Sequence, residues 1–235
     1  MSRLRNASIA GGIAGILGWV VFAAAFALAP TPPTLGASAA DITRYLSEHH
    51  TANLISAFLF ASTTLLFVPW AGAVAARLRE AEGAGAWLYL TFLSGVTVTF
   101  AVNVCASFIL MALSGRRWTL GDASAQILSD IVNYGYIFTG FGSVVFVAAA
   151  SGVMIRTGEI ARTLGQLGLL VAAIQVGYLF TAFFTDGLMV GGGPVTIAGF
   201  AVLGLWLLAV SIAMIVRAPV SEKASELSNP GGNAV

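Results

Sequence analysis

Long stretches without charged residues alternate with short charged segments along the whole chain. Six such stretches occur, and the shortest contains 23 residues. A helix needs about 20 apolar residues to cross a hydrocarbon core about 30 Å thick. Each stretch is therefore long enough for one transmembrane helix. The charge-free stretches are residues 6–40, 51–76, 83–115, 131–155, 163–185 and 187–216.

This pattern predicts an all-α, polytopic membrane protein built as a bundle of six transmembrane helices. The transmembrane domain covers residues 1–217. Residues 218–235 are rich in Ser, Gly, Asn and Glu and cannot bury much apolar area, so they are predicted to form a disordered cytoplasmic tail. The predicted spans are residues 7–29, 53–75, 87–113, 131–155, 164–185 and 195–216.

Composition leads to the same class of protein. Of the 235 residues, 11 are Lys or Arg, 10 are Asp or Glu, and 58% are hydrophobic, with a mean hydropathy of +0.91. A soluble surface requires far more charge than this. The formal net charge of +1 and the scattered basic residues give no reason to expect nucleic-acid binding, so the lipid bilayer is the expected partner.

The distribution of basic residues predicts the orientation. With the N-terminus inside, eight basic residues fall in inner segments and three in outer loops. Basic loops stay on the cytoplasmic side, so both termini are expected in the cytoplasm of a cytoplasmic (inner) membrane. The inner set is Arg3, Arg5, Arg77, Arg79, Arg156, Arg162, Arg217 and Lys223, and the outer set is Arg44, Arg116 and Arg117.

The N-terminus also has features of a secretory signal, because Arg3 and Arg5 precede an apolar stretch. A signal peptide usually has an apolar region of only 7–15 residues, which is shorter than the stretch at 7–29. We therefore expect an uncleaved first span, with cleavage as the alternative.

Local motifs predict where individual helices begin, bend and pack closely. Ser38 and Asp41 resemble a capping box that begins a short amphipathic helix along the outer membrane surface before span two. Residues 120–125 echo residues 35–39, which suggests repeated helical hairpins with short outer interfacial helices. Pro69 predicts a kink in span two, and the GxxxG spacing of Gly11 and Gly15 predicts close helix packing.

Polar side chains follow one face of several spans and predict an outward-facing polar vestibule. Asn103 and Gln175 each lie about ten residues, or roughly 15 Å, from the outer end of a span, which places them near the midplane. The other members lie closer to the outer rim. The candidate vestibule residues are His49, Asn53, Asn103, Asp130, Asn133, Tyr134, Gln175, Tyr178 and Asp186.

Three functional interpretations follow from these polar helix faces. The leading one is a non-enzymatic protein that binds or passes a small neutral or amphiphilic molecule, or acts with a membrane-protein partner or a second copy of itself. The second is a structural subunit whose polar groups only hydrogen-bond between helices. The third is an outer-face metal-dependent enzyme using His49, Asp130 and Asp186, although no HExxH or CxxC motif is present and no cofactor is expected.

One further pattern concerns residues 50–55 (HTANLI) and 74–80 (VAARLRE), which lie before and after the main part of span two. A short outer amphipathic helix that leads into a span closing with Arg-Leu-Arg-Glu resembles uncharacterised bacterial multi-pass membrane proteins. This resemblance implies a cytoplasmic-membrane location and assigns no site residues.

Overall fold

A computed structural model describes residues 2–85, 87–116 and 121–218 of the chain. A helix covers each predicted span, and this described part contains no β-strand. All six helices are long and apolar enough to cross a membrane, so the chain is an all-α, multi-pass membrane protein, as predicted. The helices are α1 (Ser2–Leu28), α2 (Ala39–Glu82), α3 (Leu88–Gly115), α4 (Asp122–Thr157), α5 (Arg162–Leu179) and α6 (Pro194–Val216).

The bundle has two ends that differ in their connections. The Tyr45 end carries the α1–α2, α3–α4 and α5–α6 connections, and the Arg77 end carries the α2–α3 and α4–α5 connections. Most of the predicted tail, residues 219–235, lies outside the described residues.

Each helix packs against the next one in the chain, and α6 also contacts α1, so the helices form a closed ring. In addition, α2 contacts α4 across the ring. In its most apolar stretch α4 is 67% buried, compared with 28–39% for the other five helices. α4 is therefore the most enclosed helix. Glycines permit the close crossings: a Cβ added at Gly11 would collide with Ala73, and one at Gly142 would collide with Gly95, which confirms the predicted close packing at Gly11.

α2 combines the predicted surface helix with the second span. Ser38 is the N-cap, and its hydroxyl accepts a hydrogen bond from the Asp41 backbone nitrogen at 3.2 Å. The backbone leaves helical geometry at His49 (φ −115°, ψ 16°), so the first ten residues run in a different direction from the rest. The described dihedral angles stay helical through Pro69, so the break in the helix falls at His49 and not at the proline.

The Arg77 half of the bundle is tightly packed. A single apolar core joins α2, α3, α4, α5 and α6, with Trp70 and Phe92 at its centre. Their ring centroids lie 6.1 Å apart, and Phe92 also contacts Phe146 edge to face at 6.0 Å. Because lipid is as apolar as these side chains, such packing contacts are the main stabilisation of a membrane bundle.

A polar cluster closes this half. Arg77 is only 4% exposed, forms an ion pair with Glu159, and donates from Nη2 to the Arg217 carbonyl at 3.3 Å. Arg217 in turn donates to the Ile160 carbonyl at 3.1 Å. Glu82 accepts hydrogen bonds from the backbone nitrogens of Leu88 and Tyr89, each at 3.0 Å, and so caps the first turn of α3. These contacts tie α2 to α3, α6 and the α4–α5 connection.

Candidate functional site

The Tyr45 half of the bundle encloses a cavity of about 320 Å³, which we call the neutral cavity. It lies among α1, α2, α3, α4 and α6 and is within the size range of small-molecule sites. Its described lining residues include none with a formal charge. Aromatic side chains form much of the wall: Phe22, Phe26, Tyr45, Phe60, Tyr136 and Phe200.

A segment without regular secondary structure, residues 30–37, contributes residues 30–33 to the cavity wall, and we call it the strap. Several hydrogen bonds hold it to the bundle. Asn133 Nδ2 donates to the Pro33 carbonyl and Gln126 Nε2 to the Ala37 carbonyl, each at 3.3 Å, and the Leu35 backbone nitrogen donates to the Gly191 carbonyl at 3.2 Å. The Leu35 side chain is buried against Ile137, Tyr178 and Val190. The strap is therefore attached to α4 and to the α5–α6 connection.

Asn53 contributes a polar group to the cavity wall. Its side chain is 2% exposed, and its Oδ1 accepts a hydrogen bond from the Tyr45 hydroxyl at 2.9 Å. The same hydroxyl lies 3.3 Å from the Pro30 carbonyl. The Asn53 Nδ2 is buried and has no hydrogen-bond partner. An amide donor without an acceptor is costly inside a membrane protein, which makes Asn53 the leading candidate among the polar groups of this wall.

Asn103 lies at the bottom of the cavity. Its Nδ2 donates to the Phe60 carbonyl at 3.0 Å, which links α3 to α2. Below it is a second space of about 70 Å³, which we call the inner chamber. Phe22, Asn103 and Phe200 line both spaces and so form the neck between them. The wall of the inner chamber is part of the apolar core of the Arg77 half, because both sets include Phe67, Trp70, Val96, Phe146 and Leu203.

The structure brings three of the nine sequence-predicted residues to the cavity wall: Asn53, Asn103 and Asn133. Gln175 and Tyr178 are buried instead between helices. Gln175 Nε2 donates to the Gly199 carbonyl at 2.8 Å, and the Tyr178 hydroxyl donates to the Tyr136 carbonyl at 2.7 Å. Both side chains therefore hold helices together.

The other four predicted residues lie away from the cavity wall. His49 lies at the kink of α2 and lines a shallow surface pocket with Glu48 and His50. Tyr134 is 37% exposed and packs beside Phe138 on the outside of α4. Asp130 is half-buried on α4 outside the lining, and Asp186 is exposed in the α5–α6 connection.

The proposed metal ligands are not brought together in the part of the chain that the structure describes. No group of three or more His, Cys, Asp or Glu side chains there could hold a metal ion. His49, Asp130 and Asp186 therefore do not form a metal centre, because they lie on the α2 kink, the α4 surface and a separate connection.

Several lining residues were not candidates from the sequence. Tyr45 lies on the surface helix, and its hydroxyl donates to Asn53. The neck residues Phe22 and Phe200 belong to uniformly apolar spans that give no signal of a cavity. Ser56 follows Asn53 by three residues on α2, and this spacing could have identified it as a member of the same polar face.

The fold and its neutral cavity define the class: a six-helix polytopic membrane protein with a cavity in the Tyr45 half of the bundle. Comparison with known proteins adds no family to this class, since no family model, curated protein or solved structure matches the chain.

Proposed function

We propose that this protein binds a small neutral or amphiphilic molecule in the neutral cavity and receives it from the outer side of a cytoplasmic membrane. In this orientation the Tyr45 end faces outward. The orientation is supported by the basic residues of the Arg77 end, which the positive-inside rule favours on the cytoplasmic side. These residues are Arg77, Arg79, Arg156, Arg162 and Arg217.

The observation that carries the proposal is the unpartnered amide of Asn53 at the cavity wall. A buried N–H group without an acceptor costs about 1–3 kcal/mol. A ligand oxygen, such as a carbonyl, ether or hydroxyl, would supply the acceptor. The surrounding aromatic wall would contact the apolar part of the same molecule.

Charge favours a neutral ligand. The described lining carries no formal charge, and an ion without an opposite charge is very unfavourable at membrane depth. Binding also requires no catalytic group. A non-enzymatic role is therefore part of this proposal, since hydrogen bonds and apolar contacts at the wall are sufficient to hold a ligand.

The apolar core that surrounds the inner chamber and the Arg77 cluster at the end of this half support binding over passage through a continuous pore. The alternative is a structural subunit in which polar groups only join helices. The hydrogen bonds of Gln175 and Tyr178 to backbone carbonyls favour this alternative for those two residues. Asn53 differs from them because its amide nitrogen lacks such a partner.

The experiment measures ligand protection of a cysteine at Ser56, which lines the cavity and is 1% exposed. The background is Cys105→Ala, and the thiol reagent is methyl methanethiosulfonate. Octan-2-one is compared with 2-methyloct-1-ene, which has a similar shape but lacks the carbonyl acceptor. We expect the ketone to slow labelling of Ser56→Cys, and Asn53→Leu to weaken this protection by about 2- to 10-fold.

Two controls make the result specific. Thr51→Cys, exposed on the same helix and outside the cavity lining, should be labelled at the same rate with and without the ketone. A membrane-impermeant reagent added outside cells should also reach Thr51→Cys. Equal protection by the ketone in the native and Asn53→Leu proteins, or none in either, would contradict the proposal.

A further inference from the structure

The inner chamber offers hydrogen-bond acceptors, whereas the neutral cavity offers the amide donor of Asn53. Four hydroxyl groups line it, and each directs its single hydrogen at a backbone carbonyl. A hydroxyl has one donor and two lone pairs, so each of these groups can still only accept a hydrogen bond. The bonds are Thr63 to Phe60 at 2.6 Å, Thr139 to Tyr136 at 2.7 Å, Ser143 to Thr139 at 2.9 Å and Thr99 to Thr139 at 3.3 Å.

One donor accompanies these acceptors. Trp70 lines the chamber, is 1% exposed, and has an indole nitrogen without a hydrogen-bond partner. The chamber residues thus combine several acceptors with one unpartnered donor. Among neutral groups, a hydroxyl both donates and accepts, whereas a carbonyl or an ether only accepts.

The volume of the inner chamber and its uncharged lining further limit which group can occupy it. A volume of about 70 Å³ corresponds to about two water molecules at roughly 30 Å³ each, so only one end of a larger molecule fits. The described lining has no carboxylate, and its remaining members are mostly aromatic or aliphatic. A cation there would have no opposite charge to offset the loss of its hydration.

The distance between the two polar sites sets the length of the molecule. Asn53 and Phe60 are seven residues apart on α2, which corresponds to about 10 Å along the helix. Asn103 binds the Phe60 carbonyl and lies at the neck between the two spaces. The chamber hydroxyls lie deeper than the neck: Thr63 is ten residues from Asn53 on α2, or about 15 Å along the helix, so a molecule held at Asn53 must extend about 15 Å to reach them.

We propose that the inner chamber is a second subsite that receives the hydroxyl end of an elongated neutral molecule whose other end accepts a hydrogen bond from Asn53. This inference rests on the proposed function and adds the ligand class: a neutral chain with an acceptor and a hydroxyl about 15 Å apart. Asn103 and the two phenylalanines of the neck would surround the last part of the chain.

The test uses the same Ser56→Cys protection assay with two probes, dodecan-2-one and 12-hydroxydodecan-2-one. The second probe adds only the terminal hydroxyl, which an extended chain places about 14 Å from the ketone oxygen. We expect it to protect at a concentration about 2- to 10-fold lower than dodecan-2-one does. Thr99→Val, which keeps the side-chain shape but removes one acceptor of the chamber, should reduce this advantage.

Thr97→Val is the matched control, because Thr97 is also on α3 and donates to the Leu93 carbonyl, but is exposed and outside both spaces. It should retain the full advantage of the hydroxyketone. Ser143→Ala provides a second chamber variant if Thr99→Val does not fold, and it should reduce the advantage in the same way. The comparison of the two probes can also be made without any substitution in the chamber, so it gives a result even if neither chamber variant folds.

The outcomes separate this inference from the proposed function. Protection by both probes at equal concentrations would overturn the second subsite, as expected for a chamber that holds only water, and would leave the site at Asn53 intact. An equal loss of the advantage in Thr97→Val and Thr99→Val would also overturn it. Protection by neither probe would contradict the proposed function and this inference together.

Discussion

The two halves of the bundle differ in what their helices enclose. In the Arg77 half, large side chains such as Trp70 and Phe92 fill the interior, and Arg77 joins the helix ends. In the Tyr45 half, α1, α2, α3, α4 and α6 surround a cavity of about 320 Å³, and the strap contributes to its wall. The difference indicates that the packed half holds the helices together, while the proposed ligand site lies in the other half.

The largest expected effect compares a phenylalanine from each half. Phe92 is fully buried between Trp70 and Phe146, so Phe92→Ala should remove contacts on both faces of the ring and lower the free energy of unfolding by about 3 kcal/mol. Phe26 already borders the cavity, so Phe26→Ala should cost about 1 kcal/mol. Unfolding titrations in mixed micelles would measure both values, and equal losses would contradict the difference between the halves.

The next effect concerns the ion pair of the Arg77 half. Arg77→Leu should lower the free energy of unfolding by about 2 kcal/mol, because Glu159 loses its partner and the Arg217 carbonyl loses a donor. The loss should be smaller than for a fully enclosed pair since Glu159 is 31% exposed. Arg79→Leu is the control: Arg79 is exposed and lies 5.6 Å from the Tyr89 ring centroid. A stable Arg77→Leu protein would show that this cluster does not hold the helices.

The smallest stability effects are expected at two asparagines of the cavity wall, Asn103 and Asn53. Asn103→Leu removes the hydrogen bond to the Phe60 carbonyl, so the free energy of unfolding should fall by about 0.6 to 1 kcal/mol. Asn53→Leu removes an unpartnered amide nitrogen together with the acceptor of the Tyr45 hydroxyl. That hydroxyl keeps the Pro30 carbonyl at 3.3 Å, so Asn53→Leu should change stability less than Asn103→Leu does. The same unfolding titration compares them, and the reverse order would mean that Asn53 serves packing.

The fold was predictable from sequence because charges are excluded from the membrane and the six charge-free runs are long. The precise helix boundaries were harder to predict. α2 extends to 44 residues because the surface helix continues through the His49 kink into the span, and α5 ends at Leu179 before a short 3₁₀ turn, Phe180–Phe183. Such features depend on local backbone geometry that hydropathy does not encode.

The site was predictable only in part, and for a physical reason. A polar stripe on a helix must face other helices or a cavity, so periodicity identified Asn53, Asn103 and Asn133. The same pattern included Gln175 and Tyr178, whose acceptors are backbone carbonyls on neighbouring helices. The acceptor of Gln175 belongs to Gly199, which packs directly against the Tyr178 ring. Helix crossings of this kind are not visible in a single sequence.

The most direct test of the difference between the halves compares two buried serines. Ser56 lines the cavity and is 1% exposed, whereas Ser151 is fully buried in the Arg77 half. Each is changed to cysteine in the Cys105→Ala background and treated with methyl methanethiosulfonate in proteoliposomes, with the cysteine-free chain as the blank. The account predicts that Ser56→Cys is labelled at least tenfold faster than Ser151→Cys, about a 1.4 kcal/mol difference in barrier. Equal rates at the two positions would contradict it.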